Sequence, residues 1–149
     1  MGKMEGTATA EIAAPIERCY EIAADVDNIA DWQNGVQKVN VLERDAEGRP
    51  ALVEIVNDAK VSTIKTKVRF DYDPPNGLSW RQEKGDLKSL VGSWSFESNG
   101  AGTTRATYTL NGDPGRVLGM LIRGPVEGKL RDMLVNGRPA ELKGRAETG

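Results

Sequence analysis

Three uncharged polar side chains stand in phase with apolar neighbours, and that placement is what gives them chemistry. Tyr108 shares a face with Ala106 and Leu110, Gln82 with Leu78 and Trp80, and Asn57 falls in phase with the inward face of its own segment. A phenol or a primary amide that faces inward can orient a polar atom on an otherwise apolar guest. Tyr108 can also donate a proton or a hydrogen bond, and Tyr108 and Gln82 are the candidate catalytic groups. A core tyrosine whose hydroxyl has found a partner accounts for the same pattern at Tyr108.

Most other catalytic apparatus is excluded. The 149 residues include no histidine, which removes Ser-His-Asp and Cys-His catalysis, imidazole acid/base chemistry and histidine metal sites. The single cysteine, Cys19, can form no internal disulfide and no zinc or iron–sulfur site by itself. No metal and no cofactor is expected. Cys19 lies on the apolar stripe of a predicted helix and reads as a small buried hydrophobe. Glu54, Glu83 and Glu97 fall on the outward phase of their strands, as do Lys65, Lys67 and Arg69. The basic strip is a solvated face, with a docking surface for an acidic partner as the alternative. Arg81 and Arg123 reach an anionic group only if the strand phase or the helix breaks differ from this reading.

The 20 basic and 22 acidic side chains leave a formal charge of -2, with no electrostatic footprint for nucleic acid. No run approaches the ~20 apolar residues of a membrane span. Met1 to Gly6 is polar and no apolar export segment follows it. The expectation is a cytoplasmic protein with no nucleic-acid partner and no stable membrane insertion, present as a monomer or weak homodimer. Its length suits one domain across residues 1–149.

The elements that must position these groups follow from periodicity. Gly6 to Ala13 alternates, with Thr7, Thr9 and Glu11 opposite Ala8, Ala10 and Ile12, which predicts a strand. Pro15 suits a helix start, and Ile16, Cys19, Tyr20, Ala23 and Val26 follow at helical spacing. Asp27-Asn28 can cap a second short helix through Trp32, closed by Asn34-Gly35, which tolerates positive φ. From Val36 to Gly112 the pattern is strand and turn. Ile64, Thr66, Val68, Phe70 and Tyr72 share one face of a strand over Val61 to Tyr72; Asp73-Pro74-Pro75-Asn76-Gly77 stops it. Leu90, Gly92, Trp94 and Phe96 share a face of a later strand. Short turns between successive strands predict an antiparallel meander with one apolar face.

That face needs a cover, and Pro114 to Glu147 supplies it. Ile122, Val126, Leu130, Met133, Leu134 and Gly137 form one helical stripe, with Arg116, Arg123, Lys129, Arg131 and Lys143 largely solvated. Pro125 and Pro139 predict breaks in this helix. The five helical glycines Gly119, Gly124, Gly128, Gly137 and Gly144 weaken it further.

Several stretches carry a resemblance to a known family. Glu11-Ile12-Ala13-Ala14-Pro15-Ile16-Glu17 resembles a strand-to-helix junction of the START-like (SRPBCC) superfamily. Ala24-Asp25-Val26-Asp27-Asn28-Ile29-Ala30-Asp31-Trp32 resembles its second-helix signature. Val39 to Glu43 and Thr103 to Leu110 resemble its second and last strands, and Ala140 to Glu147 its helix end. The likeness covers nearly the whole chain and is specific to the polyketide cyclase/dehydrase and coenzyme Q-binding branch. It implies an α+β helix-grip fold: a curved antiparallel sheet of about seven strands wrapped around a long C-terminal helix, with two short helices after the first strand. It also implies a cavity between sheet and helix.

The inward sheet face then offers Asn57, Phe70, Tyr72, Trp80, Gln82, Trp94 and Tyr108, and the helix Val126, Leu130, Met133 and Leu134, as ligand-binding residues. These side chains could equally fill a core. Seventeen glycines and many alanines fill little volume, which favours an incompletely filled interior. Trp32 is expected to plug the cavity mouth. The expected function is binding, sequestration or transport of a small hydrophobic molecule, such as a polyketide, an isoprenoid quinone or a lipid. One alternative is a polyketide cyclase, aromatase or dehydratase using the same cavity; another is a modulator of a chaperone or ribosome. The iron-dependent ring-hydroxylating relatives need histidine ligands and are excluded. The plant pathogenesis-related relatives need a glycine-rich loop, which Asp45 to Pro50 lacks.

Overall fold

A computed structural model describes residues 4–59, 62–100, 102–121 and 125–148. Strand β1 (Met4–Ile12) leads into helix α1 (Ile16–Ala24) and a 3-10 helix (Val26–Asp31). Six strands follow: β2 (Val36–Arg44), β3 (Pro50–Asp58), β4 (Thr63–Asp73), β5 (Gly77–Gly85), β6 (Ser89–Ser98) and β7 (Thr104–Asp113). The C-terminal cover is α2 (Gly115–Leu121), α3 (Pro125–Arg131), a π-helical turn (Asp132–Asn136) and α4 (Arg138–Thr148).

All seven strands form one antiparallel sheet in the order β1-β7-β6-β5-β4-β3-β2. Strands β2 to β7 are therefore a meander, and β1 returns to the far edge beside β7. The predicted phases hold. Ile64, Thr66, Val68 and Phe70 are buried along β4, and Trp94 and Phe96 along β6, while Lys65, Glu83 and Glu97 are exposed. On that outer face Arg69 pairs with Glu83 on the adjacent β5 and with Glu43 on β2, two strands away. Val61, at the expected start of β4, lies outside the described residues.

Local chemistry explains the junctions. The Pro15 carbonyl accepts the amide N–H groups of Arg18 and Cys19, so the proline sits just outside α1, where its missing N–H costs nothing. The second short helix differs from expectation. It is 3-10 and begins at Val26, with Asp25 as its flanking residue in place of the Asp27-Asn28 cap. The first turn is already closed by the Asn28 N–H, which donates to the Asp25 carbonyl at 3.1 Å, so Asp27 and Asn28 lie inside the helix. Gly35, at φ +92°, closes the segment in the left-handed region that glycine favours.

The C-terminal cover is not one helix. Pro125 is the first residue of α3, and Pro139 lies in the first turn of α4, directly after the π-helical turn ends. Leu130, Leu134, Arg138, Leu142 and Ala146 are all buried, four residues apart throughout. In an α-helix each such step drifts by about 40° around the axis, so five in a row would spiral off one face. The π turn, where the Gly137 N–H donates to the Asp132 carbonyl at 2.8 Å, winds more slowly and takes up part of that drift. Ile122 and Arg123, predicted on opposite faces of the cover, lie outside the described residues.

One core joins the layers. Ile12, Cys19, Val26, Val53, Val68, Leu130, Val135 and Leu142 are almost wholly removed from solvent. Leu142→Ala, at 0% exposure, is expected to cost about 2–5 kcal/mol in urea unfolding. Val91→Ala, at 56% exposure on the outer face of β6, should stay within about 0.5 kcal/mol.

Candidate functional site

The helices do not fill the hollow of the sheet. A cavity of about 90 Å³ lies between the inward strand faces and the helical cover. By volume it admits several waters or the body of a small organic molecule. Its described wall is apolar apart from Gln33, Asn57, Thr66, Tyr108 and Arg138.

Aromatic rings build the sheet side. Trp94 and Tyr108 meet at 4.7 Å between ring centroids, Trp80 and Tyr108 at 5.7 Å, and Phe70 and Trp80 at 5.7 Å, all tilted. Trp80 can lie where it does because its neighbour across the ladder is Gly92. A Cβ on Gly92 would come within 2.4 Å of the indole ring. Trp32 packs on Trp94 at 6.4 Å, from outside the cavity wall.

The polar groups converge because three segments meet at one end. The Asn34 carbonyl accepts Arg138 Nη1–H at 2.8 Å, and Arg138 Nη1 also donates to Glu141 Oε1 at 2.8 Å. The other carboxylate oxygen of Glu141 accepts the Asn34 N–H at 2.8 Å. Next along, the Gly35 carbonyl accepts the Asp58 N–H at 2.8 Å, and Gln33, Asn57 and Arg138 all line the cavity. Arg138 is 3% exposed, and its Nε–H is buried with no partner. The Tyr108 hydroxyl is close enough to the guanidinium to feel both its charge and its N–H donors. Burial pushes the Tyr108 pKa above the ordinary tyrosine range; the nearby Arg138 charge only partly opposes this. Tyr108 therefore remains a hydrogen-bond donor at neutral pH.

Of the residues expected to touch a ligand, Asn57, Phe70, Trp80, Trp94, Tyr108 and Leu134 line the cavity. The rest are placed elsewhere. Gln82 is drawn into the β5–β6 turn, where Nε2 donates to the Leu87 carbonyl at 2.8 Å and Oε1 is buried without a partner. A register shift between Lys67 and Val68 opposite it leaves Glu83 as an extra residue in β5 directly after Gln82. Tyr72 turns its hydroxyl to the Pro50 carbonyl at 2.5 Å, with the Arg49 guanidinium over its ring, and so braces the β2–β3 hairpin. Leu130 is core, and Val126 and Met133 pack against its edge.

Arg138 is the residue that the sequence reading missed. Its signal was a cation standing in the four-residue apolar spacing Leu130, Leu134, Leu142, Ala146, followed three residues later by Glu141. Among the described residues, no cluster of three or more His, Cys, Asp or Glu could hold a metal ion. No described helix is long and apolar enough to cross a membrane. Cys19 is fully buried, and desolvation raises its thiol pKa, so it is no nucleophile.

The family described as polyketide cyclase / dehydrase and lipid transport matches residues 12–137. The chain belongs to this family. Solved structures agree on the fold. A START superfamily protein from Mycobacterium smegmatis superposes with a TM-score of 0.82 at 20% identity, over 97% of each chain. The Zhui aromatase/cyclase from Streptomyces gives 0.74 at 24% identity, over 97% of this chain and 94% of that one. The di-domain ARO/CYC protein BexL gives 0.69 at 20% identity, and this chain covers 50% of it. No curated protein matches the sequence. The architecture is thus the START-like helix-grip fold, which encloses a cavity suited to hydrophobic ligands.

Two outcomes follow from this polyketide cyclase-family site. Gly92→Ala should displace Trp80 and change near-UV circular dichroism and tryptophan emission; unchanged spectra would contradict the packing described. Stability should fall as pH rises above about 10, because unfolded tyrosines then lose a proton that Tyr108 and Tyr72 retain in the fold. Each such group contributes up to about 1.4 kcal/mol per pH unit. Urea titrations from pH 9 to pH 11 should show a shallower decline for Tyr108→Phe.

Proposed function

We propose that this protein binds and sequesters or carries a small, mostly apolar molecule with one polar end. The observation that supports this is the cavity's composition: an aromatic and aliphatic wall interrupted by a few polar side chains, among them Arg138, whose buried Nε–H has no partner. Pockets of this make-up hold guests by burial of apolar surface, while a few fixed polar groups set orientation. A polyketide, an isoprenoid quinone or a lipid-like molecule satisfies these demands.

Catalysis is the second reading, and Tyr108 favours it, since a protonated phenol beside a guanidinium can polarise a carbonyl. Cyclisation or dehydration of a poly-β-keto chain also requires removal of a proton. The described cavity wall contains no carboxylate, lysine or histidine to accept one. Binding without turnover is therefore the preferred reading, with catalysis confined to templating of a reactive chain. The modulator alternative has no observation behind it: Arg69 of the basic strip is already paired with Glu83 and Glu43.

Because Trp80 and Trp94 form part of the wall, a guest should quench intrinsic fluorescence. Titration with the neutral apolar dye N-phenyl-1-naphthylamine should give saturable quenching near one dye per chain. Ile64→Phe, which places a larger side chain in the lining, should weaken that binding about tenfold or more while keeping a cooperative unfolding transition. Dye binding that is non-saturable, or that survives Ile64→Phe unchanged, would count against the cavity as the site.

A further inference from the structure

Two of the large apolar side chains left exposed among the described residues stand side by side. Met120 is 61% exposed and Leu121 52%, at the end of α2. Leu118 and Leu121 border an open hollow together with Ser62, Thr63, Asp86 and Pro114, so α2 lies against the β3–β4 and β5–β6 turns. Successive turns of an antiparallel meander fall at alternate ends of the sheet. These two turns and the start of α2 therefore share one end.

That end is cationic. Lys65 and Lys67 on β4, Lys84 on β5, Lys88 in the turn after it and Arg116 on α2 gather there. Lys67 and Lys84 stand opposite each other across the β4–β5 ladder, a like-charge pairing that costs the fold stability. Lys88 is tied to the foot of α2, where its N–H donates to the Asp113 carbonyl at 2.8 Å. None of the five has an ion-pair partner among the described residues. Of the carboxylates at this end, Asp86 accepts the Lys65 N–H at 2.8 Å and Asp113 the Gly115 N–H at 2.9 Å, and Asp58 is engaged as well. The opposite end carries Asp45, Glu47 and Asp73 in or beside its turns. A charge distribution of this kind orients a protein in an external field.

We propose that the α2 end docks on the surface of an anionic lipid bilayer, with Met120 and Leu121 entering the headgroup region and Lys84, Lys88 and Arg116 reaching lipid phosphates. A twofold contact with a second copy would set the same cations against one another. An acidic protein would balance the charge but would need a preformed pocket for two adjacent apolar side chains; a bilayer interface needs none. The stems of lysine and arginine cover apolar surface while their heads stay in water, which suits this boundary. With seven residues, α2 lies on the membrane and does not cross it. The proposal stands whether or not the cavity holds a guest. It does bring a docked membrane close to the cavity wall, because Thr63 and Asp86 directly precede the wall residues Ile64 and Leu87.

Co-sedimentation of the full chain with vesicles tests it. Vesicles of three parts phosphatidylcholine to one part phosphatidylglycerol should bind about tenfold tighter than phosphatidylcholine alone, and about 0.5 M NaCl should remove that difference. Met120→Ser combined with Leu121→Ser should weaken binding about fivefold or more. Val91→Ser, at an exposed apolar position on the outer face of β6, should bind as the unaltered chain does. Lys84→Glu should also weaken binding; it replaces a like-charge pair with an opposite one, so that loss is not a loss of fold. In the unaltered protein, doxyl-labelled lipid should broaden the Met120 methyl resonance and spare that of Met133, which packs against the core. No vesicle binding, equal binding to both vesicle types, or binding untouched by the Met120 and Leu121 substitutions overturns the proposal. Soluble poly-L-glutamate bound as tightly as the mixed vesicles, with both insensitive to those substitutions, would assign the surface to an acidic protein instead. Quenching by N-phenyl-1-naphthylamine without vesicles judges the cavity separately from any of these results.

Discussion

A sheet with one apolar face has to be covered, and here the cover is too small for the sheet. Seven strands present Val53, Ile64, Val68, Phe70, Trp94 and Tyr108 on one side. The helical layer answers chiefly with Leu130, Leu134, Val135 and Leu142. Close packing is reached around Ile12, Cys19 and Leu142, where α1, α4 and the end of β1 meet. Further along the hollow the helices run out of bulk, and a void remains. Everything that gives the site its character follows from that shortfall: the rings facing space, the polar atoms left at one end, and the freedom of a guest to supply the missing contacts.

The void is kept from collapsing by the tie between Arg138, Glu141 and Asn34. Both the N–H and the carbonyl of Asn34 are engaged, so α4 is fixed to the loop after the 3-10 helix in position and in direction. A second tie runs at the other end of α4, where Glu147 accepts the Ala13 N–H at 2.7 Å and Lys143 donates to the Glu11 carbonyl at 2.9 Å. The helix is held like a bar at both ends, with the apolar stripe between them facing the sheet. Hydrogen bonds to charged groups are worth more than neutral ones.

The strand faces were legible in the sequence because period-two alternation is strict when one face is buried. Thr66 and Tyr108 were assigned inward from their phase alone, and both are buried. Legibility ended where backbone irregularity intervened. Gln82 has the right phase, but the bulge at Lys67 and Val68 and the pull of the Leu87 carbonyl take it out of the cavity. Tyr72 has the right phase too, yet a nearby carbonyl at Pro50 competes for its hydroxyl. Arg138 was hidden for the opposite reason. A charged residue in an apolar stripe is usually taken to point outward, and only the three-dimensional convergence of Asn34 and Glu141 makes its burial tolerable. The π turn, which swings Arg138 into line with Leu134 and Leu142, leaves no mark that periodicity can read.

The place of β1 in the sheet has a consequence for how the chain is made. It leaves the ribosome before the other six described strands, but its partner among them is β7, with Thr7 opposite Thr109, 102 residues later. Neighbouring hairpins β2–β3 through β6–β7 can zip as they emerge, whereas the leading segment must wait until most of the polypeptide has been translated. Throughout that interval Ile12 and the alanines beside it are bare, and an uncommitted strand is available to any other edge it meets. The Thr and Glu side chains on its outer face, Thr7, Thr9 and Glu11, make the nascent segment polar on one side, which guards it against sticking to its neighbours while it waits.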